Sequence, residues 1–180
     1  MKKTFCIAAF IAVCISATAQ TFTLKSNELG GQATNKQALN GLGCNGENQS
    51  PQLFWENAPA NTQSFAVTIF DEDAPTGSGW WHWLIFDIPA SVKTLQSGAG
   101  NIALHLAPVD AIQSITDFNT YGYGGPCPPE NSKPHRFVVT LYALKASKLG
   151  LNKNSNPAMV GFMLEQNLIE KSSLIFYFKR

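Results

Sequence analysis

Runs of β-branched and aromatic residues occupy positions 64–71, 80–88, 135–144 and 173–179, and residues 21–26 alternate apolar with polar side chains. These patterns predict strands, with a further short one at 53–55. Pro89 closes the 80–88 run. Between them lie two segments of turn chemistry. Residues 40–51 form a Gly/Asn-rich loop that carries Cys44, and residues 121–134 are too rich in Gly and Pro to be regular. Residues 90–120 are weakly patterned and predict mostly loop, with short strands at 102–106 and 113–117. Late in the chain the period becomes helical. Asn156 is positioned to cap, Pro157 fits a first turn, and Met159, Phe162, Met163, Leu164 and Leu168 make a broad apolar stripe, predicting a core-packed helix over 157–169. Many strands and one late helix predict a mainly β, mainly antiparallel domain with the helix over an edge or face.

The extreme N-terminus departs from this pattern. Met1-Lys2-Lys3 is a short positive segment, Phe5 opens an apolar run that ends at Ile15, and Ala17-Thr18-Ala19 is an A-x-A site. This is the grammar of a cleaved export signal covering 1–19, leaving one domain over 20–180. The apolar run is too short to span a bilayer, so the chain is not expected to be an integral membrane protein. Without Lys2 and Lys3 the remainder has a net charge of about −1 and no basic cluster, which argues against nucleic acid as a partner. Cys6 and Cys14 leave with the signal. Cys44 and Cys127 remain, and an exported chain predicts that they form one disulfide across a long loop.

The densest chemistry lies in "DEDAPTGSGWWHW", residues 71–83. Side chains alternate across a strand. Phe65, Val67 and Ile69 therefore share a face with Asp71. His82 shares one with Leu84, Phe86 and Ile88, and His135 shares one with Phe137, Val139 and Leu141. Each strand ends an apolar face in one ionisable group, so Asp71, His82 and His135 are expected to rim one cavity at the margin of the core. Imidazoles can bind an anion, and an aspartate can orient an imidazole. Gly124 and Gly125 can turn N–H groups toward the same anion, Pro128 and Pro129 fix the loop, and Trp80 or Trp81 supplies an apolar wall. No activated nucleophile, metal-ligand cluster or phosphate-loop fingerprint accompanies them, so no cofactor is expected.

These segments resemble the phosphatidylethanolamine-binding protein family, also called the Raf kinase inhibitor protein family, and most of all its bacterial YbhB/YbcL-like branch. Three stretches carry the likeness: "DEDAPTGSGWWHW", "GYGGPCPPENSKPHRF" and "NSNPAMVGFML", with "SPQLFW" ahead of "APANTQSFAVTIFD" in support. The resemblance implies a large central sheet, a smaller sheet against it and a C-terminal helix. It also implies a pocket for phosphate or a phosphoethanolamine head group, formed by Asp71, Asp73, Pro75, Trp80, His82, Gly125, Pro128, Pro129, His135 and Phe137. Glu72 stands where a proline is common, and Phe137 where many members have tyrosine. The expectation is an exported, non-enzymatic protein binding a small anion or phospholipid head group. A protein partner and a homodimer are left open. The alternatives are an inhibitor acting through surface loops, a weak hydrolase using Asp71 and His82, and a sugar-binding module stacking on Trp80 and Trp81.

Overall fold

The computed structural model describes residues 20–180, so the export signal read at 1–19 lies outside the described residues. In chain order the strands are β1 (Thr23–Lys25), β2 (Asn40–Gly41), β3 (Cys44–Asn45), β4 (Leu53–Glu56), β5 (Ser64–Asp71), β6 (Trp80–Pro89), β7 (Thr94–Leu95), β8 (Ile112–Gln113), β9 (His135–Leu144) and β10 (Leu168–Phe178), with helix α1 (Pro157–Gln166) before the last. A five-stranded antiparallel sheet has the order β10-β9-β5-β6-β8, a three-stranded sheet the order β1-β4-β7, and β2-β3 form a small hairpin.

The central position of β5 follows from its composition. "SFAVTIFD" is buried at every position but Phe70, which suits a strand paired on both sides and covered on both faces. One face of the large sheet packs on the small one: Phe22, Leu24, Leu53, Trp55 and Leu95 meet Phe65, Val67, Ile69, Trp83, Ile85, Phe137 and Val139. On the other face Val160 and Leu164 of α1 seat on Ala66, Leu84, Phe86, Tyr142 and Leu144.

Four sequence expectations need correction. Helix α1 stops at Gln166 rather than 169, because Leu168 already pairs with Leu144 and the β-rich run behind it continues the ladder as far as His135. The last strand therefore begins five residues earlier than its pattern announced. The apolar stripe is also narrower than expected: Val160 and Leu164 are buried, whereas Met159 is 47% and Phe162 58% exposed. Residues 102–104 form a 3-10 turn, not a strand, capped by Asn101, whose side chain accepts from the Ala103 amide at 3.0 Å. The strand expected at 113–117 is only Ile112–Gln113; beyond it Ser114 bonds back to the Leu84 carbonyl and the chain turns. The Cys44–Cys127 disulfide is present and ties the β2-β3 hairpin to the loop ahead of β9.

Candidate functional site

Three strand ends converge at one margin of the large sheet. Asp71 closes β5 directly opposite Phe137 of β9 and Trp80 of β6, and His135 opens β9 one position pair away. His82 arrives by a different route from the one its pattern suggested. Ile69 pairs with Trp83 and Phe70 with Trp81, so His82 is an extra residue in β6, a bulge. Strict alternation would have put His82 on the helix-covered face with Leu84 and Phe86. The bulge rotates it onto the opposite face, beside Trp83 and against Phe137, with ring centroids 5.1 Å apart. A second irregularity lies between the Phe65/Ile88 and Val67/Ile85 pairs, with Asp87 at φ 57°. It returns Ile88 to the same core.

Hydrogen bonds on the Nδ1 side fix both rings. His82 Nδ1 donates to the Gly124 carbonyl at 2.6 Å, and the Gly124 amide donates back to the His82 carbonyl at 2.9 Å. His135 Nδ1 donates to Asp71 Oδ2 at 2.8 Å, and Asp71 Oδ1 accepts from the Asp73 amide at 2.9 Å. Each ring thereby keeps Nε2 without a partner among the described residues. Burial pushes the His82 pKa down to about 4, against the opposing pull of the Gly124 carbonyl and the Asp71 charge, so the ring is neutral near pH 7. With Nδ1 carrying the proton, Nε2 of His82 is a hydrogen-bond acceptor.

The space between the two rings is small, about 190 Å³, partly open to solvent, and is lined by Asp71, Pro75, Trp80, His82, Pro128, Pro129 and His135, all anticipated from the sequence. Leu42, Ala74, Thr76, Phe118 and Cys127 complete it. Phe137 lies beneath, fully buried and stacked on Phe176 at 5.0 Å, as a floor for both imidazoles. Asp73 is outside the cavity: its Oδ2 accepts from the Arg136 amide at 2.8 Å and holds β5 to β9. Glu72 pairs with the Arg136 guanidinium in the same exposed clamp. Trp80 forms a wall, edge-on to Phe118 at 5.4 Å, whereas Trp81 packs against Phe70 on the other side of the sheet.

The glycine amides are not turned toward the cavity. Gly124 spends its N–H on His82, and Gly125 donates to Asn48 Oδ1 at 2.7 Å. Gly125 is required for close approach instead: a Cβ there would lie 2.1 Å from the Gln37 carbonyl oxygen. The Gly125→Ala variant is therefore expected to lose about 1–3 kcal/mol of stability in denaturant unfolding, since backbone rather than a flexible side chain blocks the methyl. A loss below about 0.5 kcal/mol would mean that the loop relaxes freely.

A wider cavity of about 700 Å³ adjoins the first, with Leu42, Trp80 and Phe118 lining both. Its lining is apolar and amide-rich, and its carboxylate, Asp117, already accepts from the Trp81 amide at 2.8 Å. The paired imidazoles belong to the smaller space.

A family profile described as phosphatidylethanolamine-binding protein matches residues 30–179. The chain belongs to the phosphatidylethanolamine-binding protein family. It is similar to UPF0098 protein YbcL of Escherichia coli, at 43% identity over 175 residues covering 96% of each chain. It is also similar to UPF0098 protein YbhB of the same organism, at 39% identity, covering 86% of this chain and 98% of the relative. The crystal structure of E. coli YbcL, described as a new member of the mammalian family, superposes with a TM-score of 0.86, covering 88% of this chain and 98% of that one.

Within this member of the phosphatidylethanolamine-binding protein family, several contributors had no local signal. Leu42 reaches the rim from the tip of the β2-β3 hairpin at 73% exposure and a left-handed φ of 50°. Phe118 comes from the weakly patterned stretch, edge-on to His82 at 5.2 Å. Asn48, also at a left-handed φ of 51°, straps the Gly/Pro loop through the Gly125 amide and the Tyr123 carbonyl. The left-handed conformation favours Asn, and the "GEN" tripeptide at 46–48 was the one available hint.

Proposed function

We propose that this protein is an exported, non-enzymatic binding protein that holds a small oxyanion, free or as a phospholipid head group, in the cavity between His82 and His135. The observation that carries the reading is the pair of buried imidazoles, each oriented through Nδ1 and each left with an unpartnered Nε2, in one 190 Å³ space beside Asp71. Such a volume is below the range for drug-sized ligands and fits a head group.

A binding role is favoured over catalysis by what lines the space. Thr76 is its one side-chain hydroxyl, and that group donates to the Gly79 carbonyl. Cys127 is committed to the disulfide. Neither is poised beside a base as a nucleophile must be. The Cys44–Cys127 bridge supports an oxidising compartment, in keeping with the leader-like first nineteen residues.

Inorganic phosphate or phosphoethanolamine at millimolar concentration is expected to raise the melting temperature of the purified protein, because a ligand that binds only the folded state stabilises it by mass action. His82→Ala should abolish the shift, and Asp71→Asn should reduce it if the alanine variant folds poorly. An unchanged wild-type melting temperature with both ligands rejects the reading.

A further inference from the structure

The wider cavity beside the imidazole pocket has a chemistry of its own. It measures about 700 Å³, within the usual range of ligand sites, and is partly open to solvent. Four aromatic side chains line it: Trp80, Phe118, Tyr121 and Tyr123. Trp80 and Phe118 meet edge to face, with centroids 5.4 Å apart and planes at 77°, so they form a corner of two walls. The two tyrosines are held at their hydroxyls. Tyr121 donates to Asn154 Oδ1 at 2.7 Å, and Tyr123 donates to the Gln37 carbonyl at 2.9 Å. Tyr121 carries one cation from the outside: Lys153 Nζ stands 5.3 Å from its ring centroid, and Lys153 lines the neighbouring cavity rather than this one.

Asp117 is the one charged side chain on these walls. It makes no ion pair among the described residues. Its Oδ2 accepts from the Trp81 amide at 2.8 Å, and Oδ1 accepts from no described donor. A carboxylate among apolar and aromatic walls, with no cation of its own, lacks half of an electrostatic pair. Aromatic ring faces carry negative potential, so the rings add to the same preference for a positive guest. An anion is refused by the same groups. A primary ammonium would bring three N–H donors. Of the three asparagines on the walls, Asn48 and Asn101 have their side-chain oxygens on the Gly125 and Ala103 amides, at 2.7 and 3.0 Å, so acceptors for those donors are few. A quaternary ammonium has no N–H to satisfy and needs only negative charge and ring faces. We propose that the wider cavity is a cation site for a quaternary ammonium group, with Trp80, Phe118, Tyr121 and Tyr123 as its aromatic walls and Asp117 as its counter-charge.

The test is titration of the purified protein, followed by tryptophan fluorescence and by calorimetry, with choline, tetramethylammonium and 3,3-dimethylbutan-1-ol, the uncharged isostere of choline. One fixed ionic strength throughout keeps screening constant. Both cations are expected to saturate at millimolar concentration. The alcohol should bind at least about tenfold more weakly, since it has the shape of choline without its charge. Asp117→Asn keeps an oxygen for the Trp81 amide and removes the charge. It should weaken both cations at least about tenfold and leave the alcohol unchanged. Tyr121→Leu keeps an apolar wall at an exposed position and removes a ring. It should weaken the cations about threefold or more relative to the alcohol.

Equal affinity for choline and its isostere would overturn the proposal, since the cavity would then be reading shape alone. So would unchanged cation affinity in Asp117→Asn, which would put the cation elsewhere, between the two imidazoles for instance. Failure of the wild type to bind either cation at millimolar concentration overturns it outright. None of these probes carries phosphorus, so each outcome leaves the oxyanion reading standing, and a protein that ignores phosphate can still pass this test.

Discussion

Replacing Cys44 and Cys127 together by alanine is expected to lower the unfolding free energy by about 4.5 kcal/mol, the loop-entropy value for a bridge of this span. The two cysteines are 83 residues apart in sequence. Between them run β4 to β8 and the Gly/Pro loop as far as Pro126, so the bridge restricts about half of the described chain when it is unfolded. It also fixes local geometry. The β2-β3 hairpin has only two residues per strand and little else to hold its tip: Arg180 donates to the Gly43 carbonyl at 3.0 Å, and Gly46 returns to the Leu39 carbonyl. Leu42 at that tip and Cys127 both line the small cavity. The double variant should therefore lose ligand affinity as well as stability. Denaturant unfolding of the two proteins, followed by tryptophan fluorescence, measures the first loss. A difference below about 1 kcal/mol would contradict it, being well under the usual cost of removing a native bridge.

Acid should destabilise the fold in a specific window. The His82 pKa is pushed down by burial to about 4 in the folded protein and lies near the ordinary histidine value of about 6.5 once unfolded. Between those limits the unfolded chain binds a proton that the folded chain refuses, so stability falls as pH falls. The contribution is fully present above about pH 6.5, and about 3 kcal/mol is lost by pH 4, at ~1.4 kcal/mol per unit. Glu28 acts in a lower window. Burial raises its pKa, but this is outweighed by hydrogen bonds from Lys36, the Gln52 amide and Ser97, which hold it below the usual range. Its contribution is present above the unfolded carboxyl value and disappears as pH falls through the lower folded one. Unfolding free energies measured stepwise from neutral pH to about pH 4 should show the histidine slope in the wild type and not in His82→Gln. A wild-type curve flat across that interval would mean that His82 is reached by water and protonates without cost.

Much of this architecture was readable from residue patterns. The alternation in 135–144 correctly put His135 with Phe137, Val139 and Leu141, and that in 64–71 put Asp71 with Phe65, Val67 and Ile69. His82 reached the same cavity for a reason that alternation cannot carry. A bulge shifts phase by one residue, and nothing local in "WWHWLIFD" marks which residue is the extra one. The Gly/Pro loop is legible in its composition, but the role of its glycines is not. Gly125 answers to the Gln37 carbonyl, nearly ninety positions away, and such proximity is set by tertiary packing alone. Phe118, Leu42 and Asn48 carry no local signal on the same ground: they sit in turns whose direction only the assembled sheet defines. The helix end is ambiguous in the sequence because Leu168 fits a helical stripe and a strand equally well, and the ladder with β9 decides between them.

The central claim is that an oxyanion sits between two buried imidazoles oriented by the Gly124 carbonyl and Asp71. A crystal structure of the protein grown with phenyl phosphate below neutral pH measures this most directly. The account predicts tetrahedral density in the small cavity, between the two imidazole rings, with the phenyl group leaning toward Trp80 and Phe118. A cavity holding only ordered water at saturating ligand, or an anion bound elsewhere on the surface, would contradict it.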